Sequence, residues 1–131
     1  MSRINITMSA ELSRIPLCNS MDLSDGADAV PFDVLYCGQT SRGFAIRFEG
    51  QVQAYLNRCT HVPVEMDYQP NRVFDSSGQW LMCSTHGAMY SPDRGECLGG
   101  PCRGGLVKIA LSESDGVVHW HTSPNLKPIE F

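Results

Sequence analysis

The 131-residue sequence lacks the features that mark membrane, secreted and nucleic-acid-binding proteins. It has no run of about 20 apolar residues, the length that spans a bilayer. Its first ten residues lack the apolar core of a signal peptide, and no twin-arginine pair is present. There is no basic run, and the formal charge is −4. We therefore expect a soluble, cytoplasmic protein that binds neither nucleic acid nor membranes.

Long helical patterns are also absent, whereas turn-forming residues are plentiful, with 12 Gly and 8 Pro. Short apolar segments, several of them alternating, predict strands instead. The predicted strands are 15–18, 33–37, 44–48, 51–56, 79–82, 106–111 and 117–121. Strands of this length and spacing predict an all-β sandwich or barrel, formed as a single domain over 1–131.

Local signals refine this outline. Pro16 limits the first strand to the edge of a sheet, and Glu49-Gly50 is typical of a hairpin turn. Residues 19–31 read as loop, with room for one helical turn capped by Ser20 or Asp22. We expect an ordered fold over about 15–121, with 1–14 and 122–131 as terminal extensions.

Two short Cys-His motifs stand out among the 6 Cys and 4 His. Cys59-Thr60-His61 is a CxH motif, and Cys83-Ser84-Thr85-His86 is a CxxH motif on a second predicted loop. In a reducing compartment, a set of six cysteines favours metal binding over disulfides. The two loops therefore predict a four-ligand metal site, within a subdomain of about 57–104.

Three interpretations of these four side chains are open. They are unconnected buried thiols and surface imidazoles, or they bind a structural zinc ion, or they bind a two-iron cluster. Zinc fingers usually place both His on a helix, and Gly87 and Pro63 exclude a ligand helix here. In a [2Fe–2S] cluster, two thiolates can bind one iron and two imidazoles the other.

The two motifs, with Gly87 after the second, resemble the paired CxH and CxxHG boxes of Rieske iron–sulfur proteins. The similarity covers most of 15–121 and is to the ferredoxin type, the soluble ferredoxin components of ring-hydroxylating oxygenases. It implies a Rieske-type antiparallel β sandwich or barrel with a cluster-binding subdomain of two loops. It also implies one [2Fe–2S] cluster per chain, held by Cys59, His61, Cys83 and His86.

The same resemblance assigns roles to residues near the boxes. Tyr90 matches a tyrosine that donates a hydrogen bond to a ligand sulfur in parts of the family. Gly99-Gly100-Pro101 looks like the loop that covers the cluster, and Gly87 and Pro101 are expected to tune or shield it. Apolar neighbours complete the shield: Val62, Pro63, Val64, Ala88 and Met89.

The chain departs from the high-potential Rieske proteins of respiratory complexes. Those proteins carry an extra Cys in each box, where this chain has Val64 and Thr85. Many also have a serine where this chain has Ala88. We therefore expect a low-potential cluster, in the lower part of the range of about −150 to +300 mV.

Four cysteines lie outside the boxes. Cys97 and Cys102 bracket the expected covering loop and could form a short disulfide, but two reduced thiols packed beneath it are the favoured interpretation in a reducing cytosol. Cys18 and Cys37 lie in apolar runs and are expected to fill the core.

The two histidines outside the boxes and the two tryptophans are the remaining candidate residues. His119 and His121 are two apart on a strand and so share a face, which we expect to be a solvated face and not a metal site. Trp80 and Trp120 are expected in the core or on a sheet face.

The length decides between a carrier and a self-sufficient enzyme. Rieske oxygenases add a second domain that holds a mononuclear iron, and 131 residues leave no room for it. The sequence therefore predicts a non-enzymatic carrier of single electrons from a flavin-dependent reductase to a terminal oxygenase. The alternatives are the small Rieske subunit of an assimilatory nitrite reductase and a zinc-stabilised Cys2His2 interaction module.

Overall fold

The computed structural model describes residues 14–58, 65–66, 71–84, 87–102 and 104–129. These residues form strands and one three-residue 3-10 helix, Ser20–Asp22. No helix in them is both long and apolar enough to cross a membrane. The strands are β1 (Arg14–Asn19), β2 (Val30–Tyr36), β3 (Gln39–Phe48), β4 (Gln51–Leu56), β5 (Leu81–Met82), β6 (Met89–Tyr90), β7 (Cys97–Gly99), β8 (Lys108–Ile109), β9 (Leu111–Ser114), β10 (Val117–His121) and β11 (Leu126–Lys127).

The strands form three antiparallel sheets. The first sheet has the order β1-β10-β9, the second β11-β2-β3-β4-β8 and the third β5-β6-β7. The all-β prediction is confirmed, and so is the edge position of β1, the strand that contains Pro16. The turn between β3 and β4 lies at Glu49 and Gly50, where both residues have positive φ, 51° and 81°.

The five-stranded sheet is the middle layer, and its central strands are buried on both faces. Successive side chains of a strand point to opposite faces. Phe44 and Ile46 of β3 accordingly belong to one apolar cluster, and Ala45 between them belongs to another. In β4, Tyr55 packs with the first set and its neighbours with the second.

One face of the middle sheet packs on the first sheet. The apolar cluster between them includes Val34, Leu56 and Ile109 from the middle sheet, and Val118 and Trp120 from β10. Trp120 is 3% exposed, as expected for a core residue. This layer anchors the fold at the side away from the Cys-His motifs.

The opposite face of the middle sheet carries the third sheet. Phe44, Ile46 and Tyr55 pack there with the buried residues Leu81 and Tyr90. The cluster also contains Cys83, so one predicted metal ligand lies directly in the apolar layer between the two sheets. The third sheet thus depends on the middle sheet for its position.

The chain end differs from the prediction. Residues 122–131 were expected to lie outside the fold, but β11 pairs with β2 through Leu126 opposite Tyr36. Leu126 is 5% exposed and packs in the core below it. The ordered fold therefore continues to Lys127, because this strand covers the edge of the middle sheet.

Two local predictions are wrong in detail. The strand predicted at 106–111 divides at Ala110, where the chain leaves β8 in the middle sheet for β9 in the first. The helical turn is capped at Asn19 and not at Ser20 or Asp22. The Asn19 N–H donates to the Asp22 carboxylate at 3.1 Å.

Two predicted positions are wrong, since Cys37 was expected in the core and Trp80 in the core or on a sheet face. Cys37 lies in the turn after β2 with φ 50° and is exposed, whereas Cys18 is half-buried against the core. Trp80 is 43% exposed, because it ends the tight turn that begins at Asp75. The apolar character of a residue therefore does not predict that it is exposed at a turn.

Arg47 joins three parts of the fold. Its Nε donates to the Leu23 carbonyl at 2.8 Å, and its terminal nitrogens donate to the carbonyls of Ser20 and Gly50. The same group pairs with the Glu113 carboxylate at 2.6 Å. The hydrogen bond from Arg47 lowers the pKa of Glu113. The ion pair thereby connects β3 to β9, and the hydrogen bonds to the Ser20 and Leu23 carbonyls connect β3 to the segment after β1.

Replacing Arg47 with Met should lower the free energy of unfolding by about 3 kcal/mol, because it leaves a carboxylate and several carbonyls without a donor. Glu65→Gln is the control, since its pair with Arg42 is long, 3.8 Å, and half-exposed. That change should cost less than about 0.5 kcal/mol. Urea unfolding at pH 7 measures both, and equal losses would contradict this role of Arg47.

Glu113→Gln tests the same pair by pH. A carboxyl with a lowered folded-state pKa stabilises the protein above its ordinary pKa of about 4.3, and this contribution disappears as the pH falls through the folded-state pKa. The stability difference between wild type and Glu113→Gln should therefore be largest near pH 7 and shrink below about pH 4. A difference that is constant from pH 7 to pH 3 would contradict it.

Candidate metal centre

The second Cys-His motif begins at Cys83, directly after β5. The Cys83 N–H donates to the Ala88 carbonyl at 2.8 Å, and the Gly87 N–H donates to the Cys83 carbonyl at 2.9 Å. Gly87 has φ 76°, a conformation that residues with a Cβ rarely adopt. The turn is therefore closed by its own backbone, and Gly87 cannot continue a helix through the motif.

Cys83 is 1% exposed and so is buried in the described part of the chain. Ala88, at the other end of the same turn, is fully buried. A buried thiol beside apolar atoms is a poor acid unless a positive charge or a metal stabilises its thiolate. The site therefore suits a metal ligand better than an isolated reactive cysteine.

For the first motif, the structure describes residues on either side. Cys59 and His61 lie outside the described residues, but Asn57 and Met66 on either side of them are described and buried. The Asn57 N–H donates to the Arg42 carbonyl at 2.7 Å, and the Asn57 Oδ1 accepts from the Met66 N–H at 2.8 Å. One side chain thus closes the loop 57–66 and ties it to the middle sheet.

A backbone hydrogen bond joins the described residues that lie next to the two motifs. The Ser84 N–H donates to the Met66 carbonyl at 2.9 Å. Because Ser84 follows Cys83 directly, the end of the first loop lies beside the start of the second. The predicted ligands come from segments that the fold brings to one place, although three of the four side chains lie outside the described residues.

The glycine-rich segment 99–101 lies against the second motif. Gly99 pairs with Met89, and a Cβ built on Gly100 would lie 2.9 Å from the Gly87 carbonyl and 3.0 Å from the Ala88 Cα. Only glycine permits so close an approach. Pro101, next along, is half-buried. This segment therefore lies directly beside the second motif, and its expected role as a covering loop remains a prediction.

Tyr55, which the sequence did not single out, supports the segment that connects β6 to the glycine-rich residues 99–101. Tyr55 in β4 is fully buried, and its hydroxyl donates to the Pro92 carbonyl at 2.7 Å. Burial raises the pKa of Tyr55, so the hydroxyl keeps its proton. A Cβ on Gly95 would lie 2.7 Å from the Tyr55 ring, so this turn needs glycine to fit over the ring. The only sequence signal for Tyr55 is its place in an alternating strand.

Tyr90 is fully buried in β6, opposite Leu81 of β5 and Cys97 of β7. Its expected hydrogen bond to a ligand sulfur remains a prediction. Asn57 is the other residue that sequence reasoning missed. Its signal is its position, since a polar residue ends a buried strand two residues before Cys59.

Cys97 and Cys102 form a disulfide, with their Cα atoms 5.9 Å apart. The expectation of two reduced thiols is therefore wrong. It depended on an assumed redox compartment, whereas the pairing follows from the loop, which turns back at 99–101 and brings residues 97 and 102 together.

The remaining imidazoles are remote from this region. His119 and His121 lie half-buried on β10 in the first sheet, and the His121 Nε2 is 2.8 Å from the Ser112 Oγ. In the part of the chain that the structure describes, no three His, Cys, Asp or Glu side chains are grouped to hold a metal. His119 and His121 therefore do not form an alternative centre there.

A family model described as Rieske [2Fe–2S] domain matches residues 13–111. The chain belongs to the Rieske [2Fe–2S] family. Its cofactor is therefore a [2Fe–2S] cluster, a group that Rieske proteins bind through two thiolates and two imidazoles. A buried cysteine, Cys83, whose neighbour Ser84 is hydrogen-bonded to Met66, fits this donor set. Comparison with curated protein sequences finds no match.

Solved structures of Rieske proteins share the fold. The ferredoxin of carbazole 1,9a-dioxygenase from Nocardioides aromaticivorans IC177 has a TM-score of 0.66 at 17% identity, covering 85% of this chain and 98% of that one. The Sphingomonas yanoikuyae B1 ferredoxin has a TM-score of 0.63 at 20% identity, covering 84% and 99%. A complex of reduced oxygenase and oxidized ferredoxin in carbazole 1,9a-dioxygenase gives 0.65 at 20% identity, covering 89% and 97%.

Gly100→Ala tests the contact between the covering loop and the second motif. Gly116→Ala is a matched control, since Gly116 has φ 78° against 79° for Gly100 but open space around its Cβ position. Both changes should cost about 1–2 kcal/mol for the positive φ. Only Gly100→Ala should cost a further 1–3 kcal/mol, roughly, from overpacking. Urea unfolding measures both, and equal losses would contradict the close approach.

Asn57→Ala tests the closure of the first loop. Removing the buried acceptor of the Met66 N–H should cost about 1–3 kcal/mol and accelerate exchange of that amide. Ser41→Ala is the control, because the Ser41 hydroxyl bond to the Gln39 carbonyl is exposed. Amide hydrogen exchange of the cluster-free protein measures this without any contribution from iron. Unchanged protection at Met66 would contradict the role of Asn57.

Proposed function

We propose that Cys59, His61, Cys83 and His86 hold the [2Fe–2S] cluster and that the protein carries single electrons. The observation that supports this most is the Ser84 to Met66 hydrogen bond, because it brings the ends of both Cys-His loops together. The family match favours iron over the zinc interpretation of the same four residues.

When bound, the cluster accepts and releases one electron at a time. Its potential depends on charge: two thiolates and two neutral imidazoles give about 0 formal charge in the oxidised state, against about −2 for four thiolates. The chain adds to this environment through what surrounds Cys83. Buried Ala88 and Met66 exclude water from that side, which disfavours added negative charge.

The low-potential expectation depends on what the second motif lacks. Ala88 is fully buried and offers no hydroxyl to a bridging sulfide. The disulfide lies between Cys97 and Cys102 and not between the two metal-binding loops. We therefore place the midpoint in the lower part of the range of about −150 to +300 mV. A midpoint well above about +100 mV would contradict this.

We infer that the electron donor is a flavin-dependent reductase and that the acceptor is a terminal oxygenase. Support comes from the overall fold, which is similar over most of its length to two stand-alone ferredoxins. A third similar structure is a complex of reduced oxygenase and oxidized ferredoxin.

Replacing the predicted ligands tests the site. Wild-type protein should be red-brown, contain about two iron atoms and two sulfides per chain and give an EPR signal after one-electron reduction. Cys83→Ala and His86→Ala should lose the cluster, whereas His121→Ala should keep it because His121 lies in the first sheet. A colourless wild type with one zinc, or full iron in His86→Ala, would contradict the assignment.

Electron delivery tests the partner. The reduced protein is mixed with a ring-hydroxylating oxygenase component or with the large subunit of an assimilatory nitrite reductase, and reoxidation is followed by absorbance. Rapid reoxidation by the oxygenase alone is expected. Transfer to the nitrite reductase alone would contradict the oxygenase role and leave the cluster assignment intact.

A further inference from the structure

The Cys97–Cys102 disulfide closes a short ring around the covering loop. The two residues are five positions apart, with Cα atoms 5.9 Å apart. Both are half-buried and pack against the apolar cluster beneath the third sheet. Leu98 inside the ring is 50% exposed, so the ring faces solvent on its outer side.

The ring is held against the second Cys-His motif at several points. Gly99 pairs with Met89, and the Gly100 backbone approaches the Gly87 carbonyl as closely as a residue without a Cβ allows. The Cys102 Sγ lies 3.7 Å from the Met89 carbonyl oxygen. Anything that loosens the ring therefore acts directly on the segment 87–89.

The bond constrains the unfolded chain less than a long-range disulfide would. A disulfide that spans few residues removes less entropy from the unfolded chain than one that closes a long loop. The apolar core above and below the middle sheet is complete without the two sulfur atoms, which pack only at its margin. A half-buried bond that is not needed for the fold, in a ring that contacts a functional motif, is suited to reversible chemistry.

We propose that Cys97 and Cys102 form a reversible thiol–disulfide exchange site for dithiols, and that its state sets how firmly the loop 99–101 holds the second Cys-His motif. The thiolate of a dithiol attacks one sulfur, and a mixed disulfide forms while the other cysteine leaves as a thiol. The second thiol of the dithiol then displaces the first cysteine. The chain gains two electrons and two protons, and the dithiol becomes a disulfide.

The exchange goes beyond electron carriage and stands whether or not the cluster assignment holds, whereas its effect on a bound cluster rests on the proposed function. The effect on the loop is measured at a backbone amide. In the reduced state the ring opens, and the 87–89 segment loses the constraint on the loop packed against it. The Gly87 N–H, which donates to the Cys83 carbonyl, should then exchange faster.

The first measurement is thiol counting on the full-length protein. Cys37→Ser serves as background because Cys37 is an exposed free thiol that could scramble disulfides. The protein is equilibrated without denaturant in a series of reduced-to-oxidised glutathione ratios, starting from both forms, and alkylated thiols are located by mass spectrometry. A half-reduced point inside the series, equal from both directions, is expected. A bond that remains intact throughout, or that does not re-form, overturns the exchange site.

The second measurement is amide hydrogen exchange of the oxidised protein, of the same protein after dithiothreitol treatment, and of the Cys97→Ser/Cys102→Ser variant. Gly87 should exchange about fivefold faster or more in both reduced forms, while Ala45 in the middle sheet stays unchanged. If the variant fails to fold, the chemically reduced wild type decides. Unchanged exchange at Gly87 after proven reduction overturns the link between the bond and the motif.

Discussion

The metal centre depends on one constraint: two loops that are distant in sequence must end side by side. The backbone hydrogen bond from Ser84 to Met66 meets this constraint. Alone, such a bond contributes only about 1 kcal/mol, so it cannot position the loops by itself. Burial of the large side chains around it, each worth about 1.5–3 kcal/mol, supplies the stability. The hydrogen bond then determines which residues meet.

The layered sheets explain how a domain without a long helix in its described residues can hold such a site. The middle sheet is packed on one face to give stability and on the other to carry the third sheet. Tyr55 lies near the end of β4, and Asn57 directly follows this strand. On the side of the middle sheet that carries the third sheet, Asn57 accepts a hydrogen bond from the Met66 N–H and the Tyr55 hydroxyl donates one to the Pro92 carbonyl. Because the ends of the first loop are already held, less conformational entropy would be lost if it binds the cluster through Cys59 and His61, as proposed.

Much of the fold follows from the sequence, and the exceptions have physical causes. Alternation in 44–48 and 51–56 predicts β3 and β4 correctly because a half-buried strand has a period of two. The pattern does not show that both faces of the middle sheet are covered. It therefore does not show that Tyr55 packs between the middle sheet and the third sheet. β11 was missed because two residues carry too little pattern. The disulfide was missed because cysteine spacing alone does not determine pairing.

The proposed ligands have a clearer signal in the sequence than the residues that support them. Two Cys-His motifs and a following glycine are chemical signals that need no tertiary information, so the motif residues could be named at once. Gly100 and Asn57 act through distances that only the folded chain defines. Their importance comes from a close backbone contact and a buried acceptor, and neither leaves a distinctive mark in sequence.

Pulsed EPR of the reduced full-length protein, labelled with ¹⁵N-histidine, tests the central claim most directly. The account predicts a single paramagnetic cluster with two directly coordinated imidazole nitrogens, both of which change their coupling on labelling. An iron signal without coordinated histidine nitrogen, or a protein that binds no iron at all, would contradict the account.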